Sequence, residues 1–382
     1  MTAVDDRAWA GVDILLNDYA RVRGEDYVVV LYTPESRDPA AWIITALKVR
    51  GVTVHALAMR PIEDTTLAGR LDKVLPAPES LRGKLVIITA ERDTMSHIQV
   101  LRDTLSRYDP DRWLAARIIS ASTEFFTHAM NARTSELSAR NTALLERFLT
   151  AREMRVTTAA GSDLRVELDP DRFRWLSNRG AYRPGGFIVL PAGEIATYPA
   201  SVNGVLVADG AFNVNVRTNL DARLGSHPVR VRIADGDAID VDCADPKVSE
   251  LVGLCFGRPS ANHVGEIGFG TNDKVREYIS MNSHINERRP GVHIGFGQHN
   301  QPIYVVDYDC EIHLDLIAVG GTVWVDDDPE PIDLQDFAPS TGEHPIMVMD
   351  EDIDGDCCGL WMDDLRAQCQ VPPSWTRRED SR

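Results

Sequence analysis

Two glycine-rich segments with nearly the same pattern constrain most strongly how this chain can fold. They are Val264-Gly-Glu-Ile-Gly-Phe-Gly270 and Gly291-Val-His-Ile-Gly-Phe-Gly297. Each alternates apolar residues with polar residues or glycine, which is typical of a β-strand. Glycine weakens a strand, so its recurrence indicates a close approach of the backbone to a site. The two segments therefore predict neighbouring strands beside a functional site.

Six acidic and histidine side chains lie in or near these segments and could bind metal. On a strand, His313 and Asp315 would share one face, because side chains two residues apart point the same way. Imidazole nitrogen and carboxylate oxygen are ligands of divalent ions. Taken singly, each carboxylate is explained as well by a position on the surface. Each histidine is explained as well by a surface position or by a hydrogen bond in the core. Together they predict a site for one or two ions, formed by Glu194, Glu266, Glu287, His293, His313 and Asp315.

Composition and charge exclude several classes of function. The 382 residues carry a net charge of −18, and the segment 326–382 alone holds 16 Asp and Glu against 4 Arg. Without a basic stripe, nucleic acid is not an expected partner. No run of 18 apolar residues predicts a membrane span. The absence of a signal-like start and the six scattered cysteines predict a cytoplasmic protein with reduced thiols.

The first 154 residues show strands that alternate with helices. Helical spacing covers residues 8–23, and a second helix follows Asp38. Apolar β-branched runs predict four strands, at residues 27–32, 52–57, 85–89 and 115–120. This order predicts an α/β domain with a doubly wound parallel sheet. No Gly-x-Gly-x-x-Gly follows a strand, so no dinucleotide site is expected.

From residue 155 onward, strand patterns follow one another with few helices. A helix over residues 135–154 links the two parts, and another is expected at residues 246–253. The predicted strands are residues 155–158, 163–168, 186–190, 204–208, 229–233, 305–308, 312–319 and 322–326. They predict a β-rich, mostly antiparallel metal-binding domain. The expected division is therefore 1–154, 155–325 and an acidic extension, 326–382, whose apolar patches pack on the body or on a partner.

Several segments, in order, resemble the metalloaminopeptidase family that includes aminopeptidases S and T. They include Leu190-Pro-Ala-Gly-Glu194, Gly265-Glu266, Glu287 with His293-Ile-Gly-Phe-Gly297, and His313-Leu-Asp315. The resemblance covers about half of the chain. It implies a homodimer that acts on a small molecule or short peptide through two zinc, cobalt or manganese ions. The six residues named above would be the ligands, with Glu266 bridging the ions and with Glu266 and His293 central to catalysis.

A second resemblance points to different chemistry. Residues 28–31, Arg37-Asp-Pro39 and residues 51–54 are similar to ring-cleaving 2,5-dihydroxypyridine dioxygenases. That family implies one iron held by two histidines and an aspartate, with a histidine where this chain has Glu266. The aminopeptidases, in turn, have a tyrosine seven residues after the first metal histidine, where this chain has Asn300.

The leading hypothesis from the sequence is a dimetal hydrolase that releases an N-terminal amino acid or cleaves a related amide. A metal-activated water would attack the carbonyl carbon. Two alternatives remain open. One is a mononuclear ferrous dioxygenase on the same scaffold, and the other is a binding protein that has lost catalysis, which Asn300 would support.

Overall fold

The computed structural model describes residues 5–345, 349–350, 360–362 and 365–366. Its N-terminal part alternates helices with strands, as the sequence predicts. The helices are α1 Asp6–Ile14 (continued by a π-helical turn, Leu15–Tyr19), α2 Arg37–Val49, α3 Leu67–Asp72, α4 Ile98–Leu105, α5 Thr123–Thr127 and α6 Thr134–Phe148. The strands are β1 Tyr27–Tyr32, β2 Thr53–Ala58, β3 Leu85–Ala90 and β4 Trp113–Ile118.

The rest of the described chain is rich in strands. They are β5 Glu153–Thr157, β6 Asp163–Glu167, β7 Leu176–Asn178, β8 Phe187–Leu190, β9 Glu194–Thr197, β10 Ser201–Ala208, β11 Ala211–Val214, β12 Val216–Arg217, β13 Val229–Ala234, β14 Asp237–Asp242, β15 Val264–Gly270, β16 Gly291–Gly297, β17 His313–Ile317, β18 Thr322–Val325, β19 Ile332–Asp333, β20 Met349–Asp350 and β21 Leu360–Trp361. The helices are α7 Pro246–Phe256 and α8 His284–Arg288.

A five-stranded parallel sheet organises the N-terminal part, with strand order β2-β1-β3-β4-β8. Strands β3 and β4 are buried along their whole length, as continuous apolar runs predict for a sheet covered on both faces. Strand β8 comes from beyond residue 154 and pairs in parallel with β4. The later part of the chain thus completes the first sheet. The expected division of the chain at residue 154 stays a prediction.

Two seven-stranded sheets form the β-rich part. One, with order β14-β13-β10-β6-β5-β18-β19, is antiparallel throughout. The other, with order β11-β17-β16-β15-β9-β7-β20, carries five of the predicted ligands, and we call it the site sheet. Side chains of both sheets, α6 and α7 meet in one hydrophobic core. The predicted fold class, an α/β part with a parallel sheet followed by a β-rich part, is confirmed.

Two sequence predictions of secondary structure are wrong. The linking helix ends at Phe148 instead of continuing to residue 154, because β5 begins at Glu153. The strand expected at residues 305–308 is a turn, in which Val305 and Val306 donate backbone hydrogen bonds to the carbonyl of Pro302. Proline lacks a ladder donor and favours turns, which explains the second error.

The described pieces of the acidic extension pack on the body of the protein. Strand β20 joins β7, and β21 pairs with β12. Leu365 is fully buried in the core of the β-rich part. One of the apolar patches expected to pack is residues 346–349, and most of it lies outside the described residues. No helix in the described part of the chain has the length and apolarity that a membrane crossing requires.

Helix α6 is fastened to the site sheet by Asn141, which is fully buried. Its amide donates hydrogen bonds to the Ser177 hydroxyl at 2.9 Å and to the Glu194 carbonyl at 2.8 Å. The Thr271 hydroxyl donates to Oδ1 of the Asn141 side chain. This amide therefore fixes the strand from which the Glu194 side chain projects.

The Asn141→Leu variant should be less stable by about 1–3 kcal/mol, because buried polar groups lose their partners. Urea unfolding measures the difference. Thr45→Ala is a control, since Thr45 is exposed and bonds only within its own helix; it should stay within about 0.5 kcal/mol of the wild type. Equal unfolding midpoints for the two variants would contradict this account.

Candidate metal centre

The two faces of the site sheet carry different side chains, because successive residues of a strand point to opposite faces. Apolar residues such as Ile267, Phe269 and Ile294 point into the hydrophobic core. Alternate residues point to the opposite face, where glycines and metal-ligating types replace apolar ones. That face carries Glu194 on β9, Glu266 on β15, His293 on β16, and His313 and Asp315 on β17. The period of two in the sequence thus explains why these side chains meet.

Five of the six predicted ligands converge into two overlapping groups. Within the described residues, one group contains Glu194, Glu266 and His293, and the other contains Glu266, His313 and Asp315. In each group the donor atoms lie within 4.8 Å of one another. Glu266 belongs to both groups. The sixth residue, Glu287, is buried at the end of α8 and belongs to neither group.

Unpartnered buried atoms show that these residues fit a metal ion. Both ring nitrogens of His293 and Oδ1 of Asp315 are buried without a hydrogen-bond partner among the described residues. His293 Nε2 lies 2.8 Å from Glu194 Oε1 and 3.5 Å from Glu266 Oε1, but without hydrogen-bond geometry. Each buried unsatisfied polar atom costs about 1–3 kcal/mol. A cation held by Asp315 would compensate the cost at that carboxylate, whereas His293 belongs to the other group of donors.

Two glycines leave the space that the site side chains occupy. A Cβ atom on Gly268 would lie 2.1 Å from His293 Nε2. A Cβ atom on Gly295 would lie 2.9 Å from Asp315 Oδ1 and 3.3 Å from His313 Cε1. The recurrent glycines, which indicate a close approach in the sequence, therefore face the imidazole and carboxylate groups directly.

A buried arginine neutralises one side of the site. Arg288 is 1% exposed and contacts both Glu194 Oε2 and Glu287 Oε1, the latter at 3.1 Å. Its Nε donates to the Pro191 carbonyl at 2.9 Å. The guanidinium group thus supplies a fixed positive charge to the group that contains Glu194 and His293.

Glu287 and Asp315 are an acid pair with unequal proton affinity. Burial, the charge of Asp315 and a hydrogen bond to Asp315 raise the pKa of Glu287 well above its usual range. Burial would also raise the pKa of Asp315, but the charge and hydrogen bond of His313 and the charge of His293 outweigh it and lower that pKa. A proton shared by the pair therefore favours Glu287, and Asp315 is the acid that ionises more readily and is suited to be a ligand.

Amides hold the carboxylates in place. Asn300 Nδ2 donates to Glu266 Oε2 at 2.9 Å, and Gln301 Nε2 donates to Asn300 Oδ1 at 2.7 Å. Gln301 is itself bonded to the backbone of Arg174 in both directions, at 2.9 and 3.0 Å. Asn213 Nδ2 donates to Glu287 Oε2 at 3.0 Å. One oxygen of Glu266 thereby accepts a hydrogen bond from Asn300, and the other lies 3.5 Å from His293 Nε2.

Sequence reasoning did not assign these supporting residues a role. Asn300 was noticed only as a departure from the aminopeptidase tyrosine. Tyr304, the nearest tyrosine downstream, is 83% exposed and does not take its place. Arg288 and Asn213 carried no motif. Arg288 follows Glu287 directly in the sequence, but its contact with Glu194 is long-range. Asn213 meets Asp315 only through strand pairing.

Replacing Gly295 with alanine should displace Asp315 and weaken metal binding about tenfold or more, as disturbed support of a ligand does. Gly253→Ala is the matched control, because no described atom lies within 4 Å of a Cβ added there, in the interior of α7. Titration of both variants with a divalent ion measures the affinity. Wild-type affinity in Gly295→Ala would contradict the close packing of this site.

Removing the Asn300 amide should free Glu266 and lower metal affinity about 10- to 100-fold, the usual effect of losing a group that orients a ligand. Asn300→Asp should weaken binding at least as much, because a carboxylate would face Glu266. The control is Asn17→Ala, at an exposed asparagine far along the chain. If Asn300→Ala binds metal as the wild type does, the amide does not position Glu266.

Two solved structures share this fold. The 2,5-dihydroxypyridine dioxygenase from Pseudomonas putida KT2440 matches with a TM-score of 0.56 and 16% identity, over 86% of this chain and 95% of that one. Wild-type AmpT from Thermus thermophilus matches with a TM-score of 0.52 and 13% identity, over 87% of this chain and 98% of that one. At these identities the likeness is one of fold. No curated protein matches the chain in sequence.

A family model distinguishes between the two resemblances. The model described as NicX, 2,5-dihydroxypyridine 5,6-dioxygenase, matches residues 18–330. The leading sequence hypothesis of a hydrolase, a metalloprotease of the aminopeptidase type, is therefore wrong, and the dioxygenase alternative is the better supported one. Because the match spans most of its length, the chain belongs to the 2,5-dihydroxypyridine 5,6-dioxygenase family.

Proposed function

We propose that this protein is a ring-cleaving dioxygenase that uses one ferrous ion held by Glu266, His313 and Asp315. The observation that carries the proposal is the family match together with this cluster of buried donors on the site sheet. The substrate class is a hydroxylated aromatic ring, with 2,5-dihydroxypyridine as the first candidate. A small-molecule substrate and a homodimer, both expected from the sequence, remain part of the proposal.

The donor set suits iron, with one departure from the expected pattern. Imidazole and carboxylate are established iron ligands, and the common arrangement is two histidines with one carboxylate. Here Glu266 supplies a carboxylate where the second histidine is expected, so the set has one histidine and two carboxylates. Bound there, ferrous iron would supply the one-electron chemistry that reaction with O₂ requires.

A single ion is favoured by the charge of Arg288. The group of Glu194, Glu266 and His293 lies against this buried guanidinium, which contacts Glu194 directly. A second cation would have to bind next to a fixed positive charge in a buried environment, which is costly. The group of Glu266, His313 and Asp315 is therefore the preferred location.

The remaining residues of the site orient the ligands and hold protons. Asn300 donates to Glu266 Oε2 and so fixes the orientation of that carboxylate. Burial beside Asp315 raises the pKa of Glu287, and the hydrogen bond between the two acids helps to lower the pKa of Asp315. Hydrogen-bonded support of this kind fixes the direction and basicity of metal ligands.

Oxygen uptake tests the proposed function. The protein is first loaded with ferrous iron in the absence of oxygen. When oxygen is then admitted, it should consume one O₂ per 2,5-dihydroxypyridine, and with ¹⁸O₂ the product should carry both labelled atoms. His313→Ala should lose this activity because it loses a ligand, whereas His227→Ala, outside the cluster, should keep it. Consumption of no oxygen, or incorporation of only one labelled atom, would contradict a dioxygenase acting on this ring.

A further inference from the structure

We infer that Asp237, His263 and Tyr198 form a proton relay between solvent and a hydroxylated ring bound beside Glu266. The inference rests on the proposed function, because it assigns the relay the proton of the hydroxyl group of the bound ring. None of the three residues belongs to the metal-binding groups. They lie where β9, β14 and β15 meet at one edge of the site.

Hydrogen bonds fix the order of the relay. Asp237 Oδ1 lies 2.7 Å from His263 Nδ1, and the Tyr198 hydroxyl lies 3.1 Å from His263 Nε2. An ionised carboxylate can only accept, so the proton of the neutral ring is on Nδ1. His263 Nε2 is then the acceptor, and the Tyr198 hydroxyl donates to it.

Strand register places Tyr198 at the end of the strand beside the ligands. Glu266 pairs with Gly295, which in turn pairs with Asp315. On the other side of β15, Ile267 pairs with Thr197, the last residue of β9, and Tyr198 follows Thr197 directly. Neighbouring strands are about 4.8 Å apart. Tyr198 therefore leaves β9 beside the segment of β15 that carries Glu266.

Aromatic packing holds the relay in a fixed geometry. The Tyr198 ring lies against Phe173 and His299, with centroid distances of 4.8 and 6.1 Å. The His263 ring meets Tyr308 edge to face at 5.4 Å. Such contacts restrict the rings to one orientation. The phenol and the imidazole are therefore held in position before a substrate binds.

The outer part of the relay, His263 and Asp237, is exposed to solvent. Tyr198 is half-buried, the His263 side chain is 31% exposed, and the Asp237 side chain is 51% exposed. Burial raises the pKa of Tyr198, with Arg172 acting against the rise and Asp237 adding to it. His299 and Tyr308 are the other titratable groups packed against the relay. The phenol thus keeps its proton at neutral pH and can accept another only by passing its own to His263.

The proposed step balances in atoms and electrons. The O–H bond of the substrate hydroxyl breaks, and its proton bonds to the Tyr198 oxygen. The original Tyr198 proton moves to His263 Nε2, which creates an imidazolium beside the Asp237 carboxylate. The substrate oxygen retains the electron pair and is left as an anion, and no group is oxidised or reduced. The imidazolium then releases a proton to water at its exposed edge.

Proton release on binding tests the relay separately from oxygen chemistry. Iron-loaded protein is mixed with 2,5-dihydroxypyridine without oxygen, and ligand ionisation is followed by absorbance across pH. Tyr198→Phe should move the apparent pKa of the bound ring upward by one unit or more, while iron content stays that of the wild type. His263→Gln should do the same, and the double variant should add little, since both remove one pathway. Turnover should fall about 100-fold or more.

The control is Tyr304→Phe, which removes a hydroxyl group from a tyrosine that is 83% exposed; it should change nothing. Unchanged ionisation in Tyr198→Phe overturns the relay, whatever the oxygen uptake. If the wild type ionises the ring and Tyr198→Phe does not, but no oxygen is consumed, the relay stands and the proposed function fails. If the wild type binds no hydroxylated ring, both are overturned.

Discussion

Four acidic side chains are buried together, Glu194, Glu266 and Asp315 on the site sheet and Glu287 on α8, and the rest of the site depends on compensating their charge. Buried like charges repel strongly and are tolerated only when paired, protonated or bound to metal. The structure shows the first solution in Arg288, which pairs with Glu194 and contacts Glu287. Burial beside Asp315 raises the pKa of Glu287 and so favours its protonated form, the second solution. Glu266 and Asp315 lie together with His313, which makes this corner the place for a cation.

The fold supplies the rigidity that such a site requires. The apolar face of the site sheet is locked into a continuous core, while Asn141 of α6 ties the strand of Glu194 to the helix. Gly268 and Gly295 make room for the ligands and leave little tolerance for added atoms. Ligands on strands, held by packing on one side and by amides on the other, are better defined than ligands on loops.

Strand patterns allowed much of this to be predicted from the sequence. Continuous apolar runs predicted the parallel sheet. Period-two alternation, which places side chains on one face, predicted the β-rich part and the convergence of Glu266, His293, His313 and Asp315. Long-range partners could not be predicted in the same way. Arg288, Asn300 and the relay of Asp237, His263 and Tyr198 act through contacts between segments far apart in the chain, and no local pattern encodes them. The reaction was predicted wrongly because the residue types suit both a dimetal hydrolase and an iron dioxygenase. The family match distinguishes the two.

The central claim is one iron per chain on Glu266, His313 and Asp315, and the most direct measurement is the metal content of protein purified without added metal or chelator. The account predicts about one iron per chain in the wild type and almost none in Asp315→Ala, with the fold retained. Two zinc, cobalt or manganese ions per chain, or iron retained after loss of Asp315, would contradict it.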